Sequence, residues 1–120
     1  MSGYILEFEL DGLPPMNTAD GMHWRTRYKF KKEWEHHVFM ASHPSRPRPA
    51  LQRARVTITR FSTREPDFEN LTQGGKFLID GLVKAHVLED DSPKIIGQPV
   101  YLWEKAKRSE GKIRVRVLEV

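Results

Sequence analysis

Cysteine is absent from this sequence of 120 residues. Its absence excludes disulfide bonds and thiolate zinc sites, and it permits a reducing compartment. No apolar run approaches the length needed to cross a membrane, and the residues from Met1 to Tyr4 lack the apolar core of a signal peptide. We therefore expect a protein without a membrane partner that acts in the cytoplasm of the cell that makes it.

An excess of negative charge is also absent, since 20 Lys and Arg outnumber 16 Asp and Glu and give a net charge of +4. The positive charges concentrate in residues 25–32, whereas negative charges gather at 67–69 and 89–91. A nuclease needs a basic surface around an acidic centre, because cations hold phosphates and carboxylates hold metal. Solvated helix faces and loops would give the same pattern, so the charges alone leave both interpretations open.

The length suffices for one hydrophobic core, which predicts a single domain over residues 1–120. A core of this size is often stabilised by association, so we expect a homodimer. Apolar periodicity predicts six segments in the order strand, helix, strand, helix, strand, strand: 4–10, 24–42, 55–61, 67–86, 95–104 and 112–120. We expect the last two strands to pair as a hairpin. The predicted class is α+β (α/β), a mixed sheet with packed helices in the order β-α-β-α-β-β.

The densest chemical signal is Asp67-Phe68-Glu69-Asn70, followed after a predicted helix by Glu89-Asp90-Asp91. If the chain is extended at Asp67 to Glu69, these two carboxylates share a face and Phe68 points into the core. The predicted helix could then bring Asp90 or Asp91 close to the carboxylates of Asp67 and Glu69. Three carboxylates suit Mg²⁺ or Mn²⁺ better than zinc. A helix N-cap at 67–70 and an ordinary acidic turn at 89–92 form the alternative interpretation.

Lys76 and Asp80 lie four residues apart on the second predicted helix, so they can face each other. Lys76 could stabilise the charge that builds on a scissile phosphate, or activate water with a neighbouring carboxylate. A surface ion pair is the alternative. His23 is a candidate for contact with DNA. The adjacent His36 and His37 are not expected to bind zinc, because no other residues complete a set of zinc ligands around them.

These motifs together resemble the RusA family of Holliday junction resolvases. The elements that carry the resemblance are Pro14-Pro15-Met16-Asn17, Asp67-Phe68-Glu69-Asn70, Lys76 with Asp80-Gly81-Leu82, and Glu89-Asp90-Asp91. Each element alone is weak, but they fall in order at compatible spacing over nearly the whole chain. The resemblance implies a small homodimeric nuclease with a mixed sheet and helices, which cuts four-way DNA junctions with Mg²⁺ or Mn²⁺ and needs no small-molecule cofactor.

The resemblance also implies roles for individual residues. Asp67, Glu69 and Asp91 occupy the positions of the metal ligands, Asp90 an auxiliary acidic position, and Lys76 that of the catalytic lysine. Basic and polar residues are the candidates for DNA contact, mainly with the backbone: Asn17, His23, Arg25, Arg27, Lys29, Lys31, Lys32 and Arg64.

Two departures from the family pattern keep other functions open. Glu69 stands where a second Asp is usual, and Gly74-Gly75 lengthens the interval before Lys76. One alternative is a nuclease that prefers forks or flaps and shares every catalytic residue. Another is a branched-DNA binding protein whose catalytic site has decayed.

Overall fold

The structure, a computed structural model, describes residues 4–11 and 24–120, with the side chains of six residues outside the description: Trp24, Thr26, Arg27, Glu69, Asn70 and Gln73. The strands are β1 (Ile5–Asp11), β2 (Ala54–Ser62), β3 (Val100–Lys105) and β4 (Lys112–Glu119). The helices are α1 (Trp24–Ser42), α2 (Phe68–Lys84) and the short α3 (Pro93–Ile96). Apart from α3 and two short 3-10 turns, this is the predicted order β-α-β-α-β-β, and the predicted α+β class is confirmed.

The four strands form one mixed sheet in the order β1-β4-β2-β3. β4 pairs antiparallel with both β1 and β2, whereas β3 lies parallel to β2 at the edge of the sheet. The parallel pair is possible because the connection through α2 returns the chain to the same end of the sheet.

The predicted hairpin between the last two strands is wrong, because β2 lies between them. Ile113, Val115 and Val117 of β4 are at most 2% exposed, which suits a central strand. Val100 and Leu102 of β3 are 43% and 48% exposed, as expected for an edge strand. The predicted strand 95–104 also began too early, since Ile95 and Ile96 belong to α3 and β3 starts at Val100.

One face of the sheet carries the core. Leu6, Ile58 and Val115 lie on this face and are buried together with Val38 of α1 and Leu82 of α2. Each long helix thus contributes apolar residues to the core, as the periodicity of its sequence indicates. None of the helices in the described ranges is long and apolar enough to span a membrane.

The start of α2 differs from the extended conformation considered for Asp67 to Glu69. Asp67 is the N-cap residue, with extended angles of φ −57° and ψ 147°, and the helix begins at the next residue. Alternation between two faces of a strand therefore does not apply to this segment. Phe68 is 73% exposed, so the expectation that it points into the core is wrong.

Candidate functional site

The candidate site is built where α1 crosses α2. Gly81 makes the close approach possible, because a Cβ placed there would lie 3.0 Å from the Val38 Cβ and 3.4 Å from the Glu35 Cα. Both distances are at or below ordinary van der Waals contact, so a larger residue would push the helices apart. The approach places Glu35 of α1 next to Asp80 of α2.

The charges of Glu35 and Asp91 both act on Asp80, and we call these three carboxylates the acidic junction. Burial raises the pKa of Asp80 because it removes water from the carboxylate, and the charges of Asp91 and Glu35 raise it further. Lys31 and Lys76 act in the opposite direction. Asp91 and Lys76 are thereby placed near the same half-buried carboxylate.

Glu35 is the most buried member of the acidic junction, with 8% of its surface exposed. Its Oε1 atom is buried and has no hydrogen-bond partner among the described residues. Its Oε2 atom lies 3.8 Å from the Lys32 Nζ. A buried carboxylate oxygen without a partner costs stability, so this arrangement is one that folding alone does not favour.

Two of the lysines predicted to contact DNA are in contact with these acids. The Lys31 Nζ lies 3.9 Å from the Asp80 Oδ2. Lys32 contacts Glu35 and also lies 5.4 Å from the centroid of the Tyr28 ring. The basic half of α1 is thus joined directly to the acidic junction.

Tyr101 of β3 borders the junction from the sheet. Its ring lies against Gly75, where an added Cβ would overlap the ring and come within 2.9 Å of the Cδ1 atom. Burial raises the pKa of the Tyr101 hydroxyl, and the charge of Asp80 adds to this. Gly75 therefore has a packing role against Tyr101.

The predicted catalytic residues fall in two places. Asp91 and Lys76 lie near Asp80, whereas Asp67 is at the start of α2, roughly 20 Å from Asp80 along the axis of a straight helix. Asp67, Lys76, Asp90 and Asp91 are all exposed.

Among the side chains that the structure describes, no three acidic or histidine groups could hold a metal ion together. The Glu69 side chain is outside that set, so the trio of Asp67, Glu69 and Asp91 stays a prediction. Carboxylate oxygens are the donors that hard divalent cations such as Mg²⁺ and Mn²⁺ prefer, so the acidic residues near Asp80 match such an ion in donor type.

Three of the other predicted DNA contacts have side chains that the structure describes. Arg25, Lys29 and Arg64 are exposed, and the Arg64 carbonyl accepts a hydrogen bond of 2.7 Å from the Ser62 Oγ. Arg27 lies in α1, but its side chain is outside the description, and Asn17 and His23 fall outside the described residues altogether.

Sequence reasoning missed Glu35 and Tyr101 and treated Asp80 only as a partner for Lys76. In the sequence, Glu35 is one of several charged residues of an amphipathic helix. Its burial depends on the close approach at Gly81, and a small residue in the second predicted helix is the only sign of that approach in the sequence. Tyr101 could not be placed because the pairing of β3 with β2 was not foreseen.

Comparison of the chain with models of known protein families gave no match, and comparison with curated proteins gave no significant match.

Proposed function

We propose that this chain is a metal-dependent, structure-specific endodeoxyribonuclease of the RusA type that resolves four-way DNA junctions by paired nicks in recombination and repair. One observation carries the proposal. Asp91 and Lys76 are distant in sequence, yet both act electrostatically on the half-buried Asp80. Acidic and basic groups concentrated around a partly desolvated carboxylate are typical of a catalytic centre.

The residues divide the chemistry between them. Mg²⁺ or Mn²⁺ bound by Asp67, Glu69 and Asp91 would polarise the scissile phosphate and lower the pKa of the attacking water. This ligand set requires the start of α2 and the segment of Asp91 to approach each other when the ion binds. Lys76 supplies a positive charge where negative charge develops on the phosphate. Asp90 is an auxiliary acidic residue.

The exposed cations of α1 and Arg64 hold the sugar-phosphate backbone and contribute affinity, with little information about base sequence. A homodimer would present two such sites related by a twofold axis, which matches the two strands that must be nicked in a four-way junction. We place this activity in the cytoplasm of a bacterial or phage-infected cell.

The proposal is tested by incubating the full chain with a synthetic four-way junction in Mg²⁺ and in EDTA. We expect paired nicks with Mg²⁺ and none with EDTA. Asp91→Asn should lower the nicking rate by about a hundredfold or more, because a charge used in the transition state is lost. Its fold should be retained, since Asp91 is exposed. Glu104→Gln, an exposed acid on the edge strand, is the matched control and should leave the rate unchanged.

Other outcomes would assign a different function. Faster cutting of forks or flaps than of four-way junctions would make the substrate a replication intermediate. Tight junction binding without nicking in either Mg²⁺ or Mn²⁺ would identify a binding protein with a decayed catalytic site. Full activity of Asp91→Asn would remove this residue from the site.

A further inference from the structure

An open cleft of about 790 Å³ lies where Tyr4 and the segment after α1 meet the end of β4. Its walls are fixed by backbone hydrogen bonds, from the Glu119 N–H to the Tyr4 carbonyl at 2.9 Å and from the Val120 N–H to the Arg53 carbonyl at 3.2 Å. The side chains that line the cleft include three arginines, Arg46, Arg48 and Arg53, and one carboxylate, Glu119.

Two residues that line this cleft carry buried polar atoms. The Tyr4 hydroxyl oxygen and the Arg46 Nε are buried and have no hydrogen-bond partner among the described residues. Burial raises the pKa of Tyr4, so the hydroxyl keeps its proton and remains a donor. Buried donors are nearly always satisfied in folded proteins, so two of them in one cleft indicate that an acceptor belongs there.

We propose that this cleft binds a phosphate group of the DNA backbone, with Arg46, Arg48 and the Tyr4 hydroxyl as its principal ligands. Guanidinium groups match phosphate oxygens with paired hydrogen bonds, and arginine is the usual residue for this recognition. A tyrosine hydroxyl is also a common donor to backbone phosphates.

The position of the cleft favours DNA over a free anion, and this step rests on the proposed function. We call Glu89, Asp90 and Asp91 the acidic loop. Leu51 lines the cleft and pairs through its backbone with the acidic loop: the Leu51 N–H donates to the Val87 carbonyl at 2.9 Å, and the Glu89 N–H donates to the Leu51 carbonyl at 3.0 Å. Asp91 follows two residues later. A strand held near Asp91 would therefore pass close to the cleft.

The test measures binding separately from cleavage. Anisotropy of a labelled four-way junction is recorded in EDTA over a range of salt concentrations for wild type, Arg48→Ala, Tyr4→Phe and the control Arg108→Ala. Arg48 is exposed, so its replacement should leave the fold intact. Arg108 is also exposed and precedes the start of β4, whereas the cleft lies at the end of that strand.

We expect Arg48→Ala to weaken binding about tenfold and to lower the slope of log affinity against log salt by about 0.9, the effect of one lost phosphate contact. Tyr4→Phe should weaken binding by roughly threefold, since it removes one hydrogen bond and no charge. Arg108→Ala should have neither effect. Equal losses for Arg48→Ala and Arg108→Ala would overturn the proposal, because they would show only a general loss of positive charge.

A second arm distinguishes DNA from free phosphate. Inorganic phosphate is titrated calorimetrically into wild type and Arg48→Ala. Saturable phosphate binding that Arg48→Ala abolishes, with unchanged junction affinity in the same variant, would overturn DNA as the ligand. Junction binding that depends on Arg48 and Tyr4 but is never followed by nicking would support the cleft and reject the proposed nuclease activity.

Discussion

On the outer face of the sheet, the Glu9 carboxylate accepts hydrogen bonds from Arg114 at 2.9 Å and Lys112 at 3.2 Å, whereas Asp80 in the acidic junction approaches Lys31 only to 3.9 Å. Hydrogen bonds from these cations lower the pKa of Glu9. Burial raises the pKa of Asp80, against the opposing charges of Lys31 and Lys76 and with a smaller contribution from Asp91 and Glu35. The pKa values of the two carboxyl groups are therefore shifted in opposite directions, by cationic partners at Glu9 and by burial at Asp80.

The difference indicates what each region is for. Exposed pairs such as those of Glu9 satisfy their charges and add little to stability. The acidic junction keeps repelling carboxylates together and leaves the Glu35 Oε1 without a partner among the described residues. Such an arrangement lowers stability. Titratable groups with perturbed pKa values cluster at functional sites.

The largest expected effect comes from breaking the packing beside the junction with Gly75→Ala. The new methyl group would overlap the Tyr101 ring. Overpacking costs about 1–3 kcal/mol, and alanine returns about 1 kcal/mol as the better helix former. We expect a net loss of about 1 kcal/mol, or roughly 4 °C in Tm, measured by thermal unfolding.

The double variant Gly75→Ala with Tyr101→Ala identifies the cause. If the ring is the obstacle, the cost of the alanine should disappear when Tyr101 is truncated, which gives a positive coupling in the double-mutant cycle. Lys84→Ala, an exposed change on the same helix, serves as the control. A Gly75→Ala protein that is more stable than wild type would show that the glycine has no packing role.

Much of the fold was predictable because periodicity reports burial directly. The spacing of Trp34 and Val38 located α1 with its observed bounds, and the alternation around Val56 located β2. Strand neighbours were not predictable in the same way, because the partner of β3 depends on how α2 returns the chain across the sheet. The acidic junction depends on a contact between two helices, which no local pattern encodes.

A smaller effect is expected when one charge is removed from the acidic junction. Asp80→Asn keeps the shape of the side chain and removes a charge that burial disfavours, together with its repulsion with Asp91 and Glu35, at the cost of the attraction to Lys31 and Lys76. Because Asp80 remains partly exposed, solvent screens most of this effect. We expect a gain of about 0.5 kcal/mol at neutral pH, or roughly 2 °C in Tm.

The matched control is Glu104→Gln, which removes an exposed carboxylate from the edge strand and should leave Tm unchanged. A clear loss of stability in Asp80→Asn would mean that the Lys31 contact outweighs the repulsion. The acidic junction would then be an ordinary ion pair, and the contrast with the outer face of the sheet would no longer hold.

The smallest expected effect concerns Glu9 and its dependence on pH. The pKa of Glu9 in the folded state lies below its ordinary value of 4.5, so its contacts with Arg114 and Lys112 stabilise the protein above that pH. This contribution is lost as the pH falls through the lowered pKa, because the folded protein must then bind the proton.

Glu9→Gln should therefore lower Tm by about 1 °C near neutral pH, as exposed pairs contribute little. The difference from wild type should vanish in acid, where both side chains are neutral. A Tm difference that persists unchanged in acid would show that the substitution acts through packing, and a loss of many degrees would mean that the outer face is as important to stability as the core.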